Sequence, residues 1–374
     1  MKPNIPETLD SAFIEHFLKQ RFEGVLDELA VSNFKLPLSA TKTRVVAFHG
    51  YSGHSRQADM KHLGNSLRAA WHFFSAIDLP NHGQSVLPDR EETRGKIPSM
   101  IPLVQAVHAA TYKALSLKAN RPIPLYLMGY SAGAIALLTF LQRFPSAQKY
   151  IAGVILIAPA FEVDQNARKW LSEHPHLERI THALEGNRAT AQVLDYALDL
   201  ASRWYPDVLV SKLEERYPDD QLEHKQAVDL RTAAVLHLAA KRARNHMSRI
   251  TVPILFLHGA KDPVAAIEAT LQAYNDVGTP LEYKKKIIYE HGDHHIIAQA
   301  VPDIIDWIER EYKRAIYEKI VYKEGLIKDM VNISSVLLVF VTSFIENMRG
   351  TLFQLLLIFR NMFARWWKKI VFWK

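Results

Sequence analysis

Residues 125–138 read LYLMGYSAGAIALL and decide the fold, because they join a short apolar strand to an apolar helix through a tight turn. The turn carries the pattern G-x-S-x-G from Gly129 to Gly133. Glycine is needed on both sides because the strand and the helix meet so closely that a side chain would collide. The serine between them is held in a strained conformation with its hydroxyl exposed. The stretch therefore predicts that Ser131 is a nucleophile.

Other short runs rich in β-branched or aromatic residues alternate with longer amphipathic stretches. Continuous apolar strands separated by segments of helix length predict a parallel sheet with helices on both faces, an α/β fold. The predicted strands are Arg44–Phe48, His72–Asp78, Leu125–Met128, Gly153–Ile157, Ile254–His258 and Leu281–Tyr289.

The chain is expected to contain four parts. Residues 1–30 carry an apolar helical pattern and predict a leading helix. Residues 31–159 and 251–320 form the predicted core, and residues 160–250 between them are too many for a simple crossover. Because those residues are mostly helical in pattern and charged, we predict an inserted helical cap. Residues 321–374 form a separate basic, aromatic tail.

A serine hydroxyl is a poor nucleophile, so it requires a base, and the base requires an acid that orients it. Asp262 lies in the loop after the strand that ends at His258, which predicts it as the acid. The loop after the last strand offers His294 as the base, with His295 as the alternative.

The H-x-x-H-H pattern of His291, His294 and His295 raises the alternative of a metal site. The pattern lacks the i, i+4 spacing of a helical zinc pair, and no second cluster of ligands accompanies it. We therefore expect neither a metal nor another cofactor.

The transition state of attack by a serine on a carbonyl group also needs donors for its oxyanion. The backbone N–H of Ala132, directly after the nucleophile, is one predicted donor. The other is the N–H of Tyr51, in the loop after the strand that ends at Phe48. His49 and His54 in the same loop are expected to fix its conformation rather than to take part in the chemistry.

The sequence resembles the α/β-hydrolases, and within them the monoacylglycerol lipase and lysophospholipase group, also called the serine aminopeptidase family. The resemblance covers roughly residues 35–315 and rests on GYSAG, HGYSGHS at 49–55, DLPNHGQS at 78–85, Ala158-Pro159, and TVPILFLHGAKDPV at 251–264. It implies the α/β-hydrolase fold, a cap after the sixth strand, a Ser131–Asp262–His294 triad and a preference for lipid-like esters.

Two positions depart from that family pattern. Asn81 stands where the family usually has glycine, which affects a loop and no catalytic group. Around the base, the residues downstream fit His295 slightly better, whereas the Tyr289-Glu290 lead-in fits His294.

Composition excludes several classes of protein. Hydrophobic residues make up 48% of the 374 residues and charged residues 23%, as in a soluble globular core. The absence of cysteine excludes a disulfide scaffold and a thiol nucleophile. The N-terminus lacks the apolar stretch of a secretory signal, so we expect a cytoplasmic protein.

The net charge of +7 belongs mainly to the end of the chain. Residues 331–374 contain six basic residues and one acid, so they carry +5 and leave +2 for the first 330 residues. This distribution argues against nucleic acid as a partner.

The tail has three possible roles: crossing a membrane, lying in its surface, or packing on the body or on a second subunit. A spanning helix needs about 20 apolar residues, and Glu346 and Arg349 interrupt this stretch. Three of the seven tryptophans fall in the last nine residues among lysines, a composition suited to headgroups and anionic lipid. We therefore expect residues 326–374 to hold the protein peripherally on a membrane surface.

The predicted function is a serine ester hydrolase that cleaves monoacylglycerol or lysophospholipid through an acyl-enzyme on Ser131. An acyltransferase or thioesterase on the same triad is the alternative, because motifs do not decide which acceptor replaces water. A catalytically silent, membrane-tethered interaction module is the alternative from another class. Intact Ser131, Asp262 and two candidate bases argue against that last reading.

Overall fold

The architecture comes from a computed structural model, which describes residues 29–117, 123–162, 219–224, 228 and 230–314. Residues 1–28 of the predicted leading helix, most of the predicted cap and the whole predicted tail lie outside these ranges. Within them, no helix is long and apolar enough to cross a membrane.

Seven strands form one sheet in the part of the chain that the structure describes. They are β1 (Val31–Phe34), β2 (Thr43–Phe48), β3 (His72–Ile77), β4 (Leu125–Tyr130), β5 (Gly153–Ile157), β6 (Ile254–Gly259) and β7 (Lys284–Tyr289). Their order across the sheet is β1-β3-β2-β4-β5-β6-β7. β1 runs antiparallel to β3, and every other pair is parallel. The mostly parallel sheet confirms the predicted fold class.

Helices cover both faces of this sheet. They are α1 (Ala58–Ala69), α2 (Met100–Ser116), α3 (Ala132–Arg143), α4 (Leu230–Asn245), α5 (Ile267–Asp276) and α6, residues 297–314. α1 and α6 contribute to the hydrophobic cluster on one face, and α2 to α5 contribute to the cluster on the other. In β2, Val45 belongs to the first cluster and Val46 to the second. Burial on both faces explains why the central strands are continuous apolar runs.

Two features differ from the sequence predictions. The edge strand β1 was not predicted, because it has only four residues and the side chain of Asn33 is exposed. The last strand begins at Lys284 rather than Leu281, because Leu281–Tyr283 form a short 3-10 turn after Pro280. In the described part of the chain, the long insertion follows β5.

The strand order places a topological switch point at the carboxyl end of the sheet. β3 lies on one side of β2, and β4 lies on the other, with Phe48 of β2 in register with Gly129 of β4. Connections that leave adjacent parallel strands in opposite directions open a binding site between them. The loop after β2 and the turn after β4 therefore meet at this point.

Candidate active site

Ser131 occupies the sharp turn between β4 and α3. Its backbone has a φ of 51°, in the left-handed region that side chains rarely adopt. A Cβ on Gly129 would lie 2.5 Å from the Cα of Ala134, and one on Gly133 would collide with carbonyl oxygens at the end of β2. Both glycines are therefore required by close backbone contacts, and the turn places Ser131 at the carboxyl end of the sheet.

Ser131, His294 and Asp262 lie in one hydrogen-bonded chain. The Oγ of Ser131 is 2.9 Å from Nε2 of His294, and Nδ1 of His294 is 2.7 Å from Oδ2 of Asp262. Asp262 follows β6 and His294 follows β7, so adjacent strands deliver the acid and the base to the turn after β4. The arrangement lets the imidazole accept the hydroxyl proton while the carboxylate orients the ring.

The carboxylate of Asp262 is held on both oxygens. Its Oδ1 accepts hydrogen bonds from the backbone N–H groups of Val264 and Ala265, both at 2.8 Å. Its Oδ2 lies near two imidazoles, those of His294 and His258. Burial by itself raises the pKa of Asp262, but the hydrogen bonds from the two histidines outweigh it and leave that pKa well below its ordinary value. The carboxylate is therefore ionised wherever the enzyme is folded at moderate pH.

His258 is a residue at the site that the sequence analysis did not single out. It is fully buried in β6, and its Nε2 lies 3.2 Å from Oδ2 of Asp262. A signal was present, because a buried histidine four residues before the predicted acid must find a polar partner.

The two candidate bases have different hydrogen-bond partners in the structure. His295 lies outside the hydrogen-bonded chain, and its Nδ1 is 3.0 Å from the hydroxyl of Tyr130. That hydroxyl also donates to the backbone carbonyl oxygen of His294 at 3.2 Å. Tyr130, which directly precedes the nucleophile, is therefore hydrogen-bonded to the loop that carries the imidazole of His294. Among the residues that the structure describes, no group of histidines and acids is arranged to hold a metal.

The loop after β2, residues 49–57, lies directly against the nucleophile and is called the β2 loop below. A Cβ on Gly50 would lie 3.1 Å from the Cβ of Ser131, so only glycine fits there without a shift. The predicted donor Tyr51 is the next residue of this loop. The other predicted donor, Ala132, begins α3, where backbone N–H groups have no acceptor within the helix.

Two buried side chains tie the β2 loop to the loop after β3. His49 donates through Nδ1 to the carbonyl oxygen of Gly50 at 2.7 Å, and its Nε2 accepts from the N–H of Leu79 at 2.9 Å. Burial lowers the pKa of His49, so the ring is neutral and can make both bonds. Asp78 accepts from the backbone N–H groups of Ser55 and Gln84. These contacts fix the backbone on which the predicted donor lies.

A short piece of the predicted cap, residues 219–224, also contacts the β2 loop. Nε2 of His54 lies 2.8 Å from Oδ2 of Asp220. The backbone N–H of His224 donates to the carbonyl oxygen of Ser52 at 3.0 Å. His54, which was predicted to fix the conformation of the β2 loop, therefore connects this loop to the insertion.

Asn81, the departure from the family pattern, has a physical explanation. Its φ is 62°, a conformation that glycine adopts freely and that asparagine tolerates better than most residues. Its side-chain amide donates to the carbonyl oxygen of Lys96 at 2.9 Å. Asparagine can therefore adopt the backbone conformation that glycine adopts freely.

A family model described as serine aminopeptidase, S33, matches residues 39–299. The match covers more than half of the chain, and the chain therefore belongs to this family of α/β-hydrolases. No curated protein matches the chain.

Solved structures share the fold at low sequence identity. A monoacylglycerol lipase from Paleococcus ferrophilus is 20% identical with a TM-score of 0.54, over 76% of this chain and 99% of that one. A soluble variant of the monoglyceride lipase from Saccharomyces cerevisiae, in complex with a substrate analog, is 14% identical with a TM-score of 0.55. That match covers 76% of this chain and 92% of the yeast chain. At these identities the likeness establishes the α/β-hydrolase fold.

Proposed function

We propose that this protein is a serine carboxylic-ester hydrolase that cleaves single-acyl lipids, monoacylglycerol or lysophospholipid, through an acyl-enzyme on Ser131. The observation that carries the proposal is the hydrogen-bonded chain from Ser131 through His294 to Asp262 at a strained turn. A hydroxyl group becomes an effective nucleophile when an oriented base accepts its proton.

The reaction proceeds in two halves. The Oγ of Ser131 attacks the ester carbonyl carbon while Nε2 of His294 accepts the hydroxyl proton. The backbone N–H groups of Tyr51 and Ala132 donate to the oxyanion of the tetrahedral intermediate. His294 then protonates the leaving alcohol, and the acyl group remains on the serine. Water, deprotonated by His294, attacks the acyl-enzyme, releases the fatty acid and regenerates the serine hydroxyl.

The substrate class rests on family membership and on the two neighbours that are monoacylglycerol lipases. We propose that the part of the insertion before α4, residues 160–229, supplies an apolar pocket for one acyl chain. We also propose that residues 326–374 hold the enzyme peripherally on anionic lipid at the cytoplasmic face of a membrane. Support for this attachment comes from the tryptophans and cations at the end of the chain.

The test compares fatty acid release from monoacylglycerol, lysophospholipid, diacylglycerol and a short p-nitrophenyl ester, with the Ser131→Ala protein as the matched control. The proposal predicts release from single-acyl lipids by the native protein only. Cleavage of the short ester without release from either single-acyl lipid would contradict the substrate class. Equal turnover by the two proteins would contradict the serine mechanism.

A further inference from the structure

His258 places a second imidazole on the carboxylate that orients the base. It lies in β6, and no part of its side chain is exposed. Its Nε2 is 3.2 Å from Oδ2 of Asp262 and 3.1 Å from the carbonyl oxygen of Ala265. On the other side of the ring, Nδ1 is 2.9 Å from Oγ1 of Thr270 in α5. Both ring nitrogens therefore have partners inside the protein.

When the ring is neutral, these partners determine which of its two nitrogens carries the hydrogen. A carbonyl oxygen and a carboxylate oxygen can only accept, so Nε2 must carry the hydrogen. Nδ1 then has a lone pair, and the hydroxyl of Thr270 can donate to it. The side chain from α5 thus fixes the tautomer in which the ring donates towards Asp262.

We propose that His258 is a positioning residue that holds Asp262 in the orientation required by His294, an inference that rests on the proposed hydrolase function. The Oδ1 of Asp262 is fixed by two backbone N–H groups, and its Oδ2 is shared between the two imidazoles. Donors on both oxygens prevent the carboxylate from rotating away from His294. The N–H of His258 also stabilises part of the negative charge on Asp262, and the remainder stabilises the imidazolium that forms on His294 during the reaction. It touches neither the substrate nor the reacting atoms.

A pair of amide substitutions tests this role. In His258→Gln the amide nitrogen takes the place of Nε2 and reaches Asp262, whereas in His258→Asn the amide takes the place of Nδ1 and reaches only Thr270. Short-ester turnover by the full chain is measured across pH. We expect kcat/KM to fall about 10- to 100-fold in His258→Asn, because a charged hydrogen bond is lost. The acidic limb of its pH profile should move to higher pH, because the unshared carboxylate charge retains the imidazolium proton more strongly.

His258→Gln should keep kcat/KM within a few-fold and leave the acidic limb in place. Thr270→Val is a second variant that keeps His258 and removes the hydroxyl that bonds to it. Its loss of kcat/KM should be smaller than that of His258→Asn, and its acidic limb should also move to higher pH. A merely structural role would lower activity in both amide variants without moving the limb, and that result would overturn the proposal. Native activity in His258→Asn would overturn it as well.

Failure of the proposed function has a different signature. It would appear in the native protein, as ester turnover no greater than that of Ser131→Ala and no labelling by a fluorophosphonate. That result would overturn both proposals. Equal effects of the Asn and Gln variants on an active enzyme would overturn only the role of His258.

Discussion

At the scale of single residues, the two adjacent histidines after β7 have different partners. The His294 ring bonds to Ser131 and Asp262, whereas the His295 ring bonds to the hydroxyl of Tyr130. Only one of them can accept the serine proton in this arrangement. His295 contacts the site through the hydroxyl of Tyr130, which also donates to the backbone carbonyl oxygen of His294.

His294→Ala should therefore lower kcat/KM for a short ester by about 10⁴ or more, because the members of a triad act as a unit. His295→Ala should lower it by about tenfold or less, because it removes the hydrogen bond to Tyr130 and leaves Ser131, His294 and Asp262 in place. Steady-state kinetics on both variants measures the difference. The assignment of the base is wrong if His295→Ala is the inactive variant.

Sequence reasoning could propose Ser131, Asp262 and one of the neighbouring His294 and His295, because the chemistry requires these residue types at the carboxyl ends of parallel strands. It could not identify the contact of His258, because that contact depends on how α5 and the turn at residues 262–265 pack around β6. The choice between His294 and His295 also required the structure. A one-residue difference in the loop cannot be resolved by counting from a strand end.

At the scale of elements, the contact between residues 219–224 and the β2 loop connects the insertion to the predicted oxyanion donor. The contact consists of the His54–Asp220 pair and a backbone hydrogen bond to Ser52. Because Tyr51 precedes Ser52, these bonds restrain the backbone next to the donor. The 219–224 segment is therefore expected to affect the rate of the chemical step.

Asp220→Asn should lower kcat about tenfold with little change in KM, less than the 10²–10³ that loss of a whole oxyanion donor costs. Asp219→Asn is the matched control, because it removes the same charge from the exposed neighbouring residue. Saturation kinetics with a short ester separates kcat from KM. Equal effects of the two substitutions would show that the pair with His54 does not support the loop.

The strands of the core were predictable and β1 was not, for a physical reason. Central strands bury both faces, so their apolar runs are visible in the sequence. β1 has one neighbour, β3, and its residues are mostly only partly buried. An edge strand of this length depends on pairing with the sheet rather than on its own pattern.

At the scale of the whole molecule, buried histidines make stability depend on pH. His108 lies in α2, with its ring stacked 5.1 Å from that of Phe144. Burial lowers the pKa of His108 to about 4, from 6.5. Burial likewise lowers the pKa of His82 to about 3. Between the two pKa values of each group, the unfolded chain binds a proton that the folded chain does not, so acidification destabilises the fold.

The free energy of unfolding should therefore fall as the pH decreases from about 6.5 towards about 4, by up to about 1.4 kcal/mol per pH unit for each such histidine. His108→Phe removes one of these groups and keeps an aromatic ring in contact with Phe144. Its unfolding free energy should fall less between about pH 7 and about pH 5 than that of the native protein. Parallel pH dependences in denaturant titrations would contradict the neutral, buried state of His108.

The proposed membrane attachment also belongs to the scale of the whole molecule. Replacing four tail cations by glutamine should weaken binding of the full chain to anionic vesicles at least about a hundredfold, because each contributes about 1 kcal/mol near the surface. The residues are Arg360, Arg365, Lys368 and Lys369. The control neutralises an equal set of exposed cations on the described part of the chain, Lys61, Arg68, Lys113 and Arg143. Equal weakening in both proteins, or binding unaffected by salt, would contradict an electrostatic role for the tail.

The most direct test of the serine mechanism is the mass of the protein during turnover. The native enzyme is mixed with excess p-nitrophenyl ester, quenched with acid and digested for mass spectrometry. The mechanism predicts one added acyl group per chain, located on the peptide that contains Ser131, with no addition in Ser131→Ala. An unmodified Ser131 peptide during rapid turnover, or an acyl group on another residue that persists in Ser131→Ala, would contradict it.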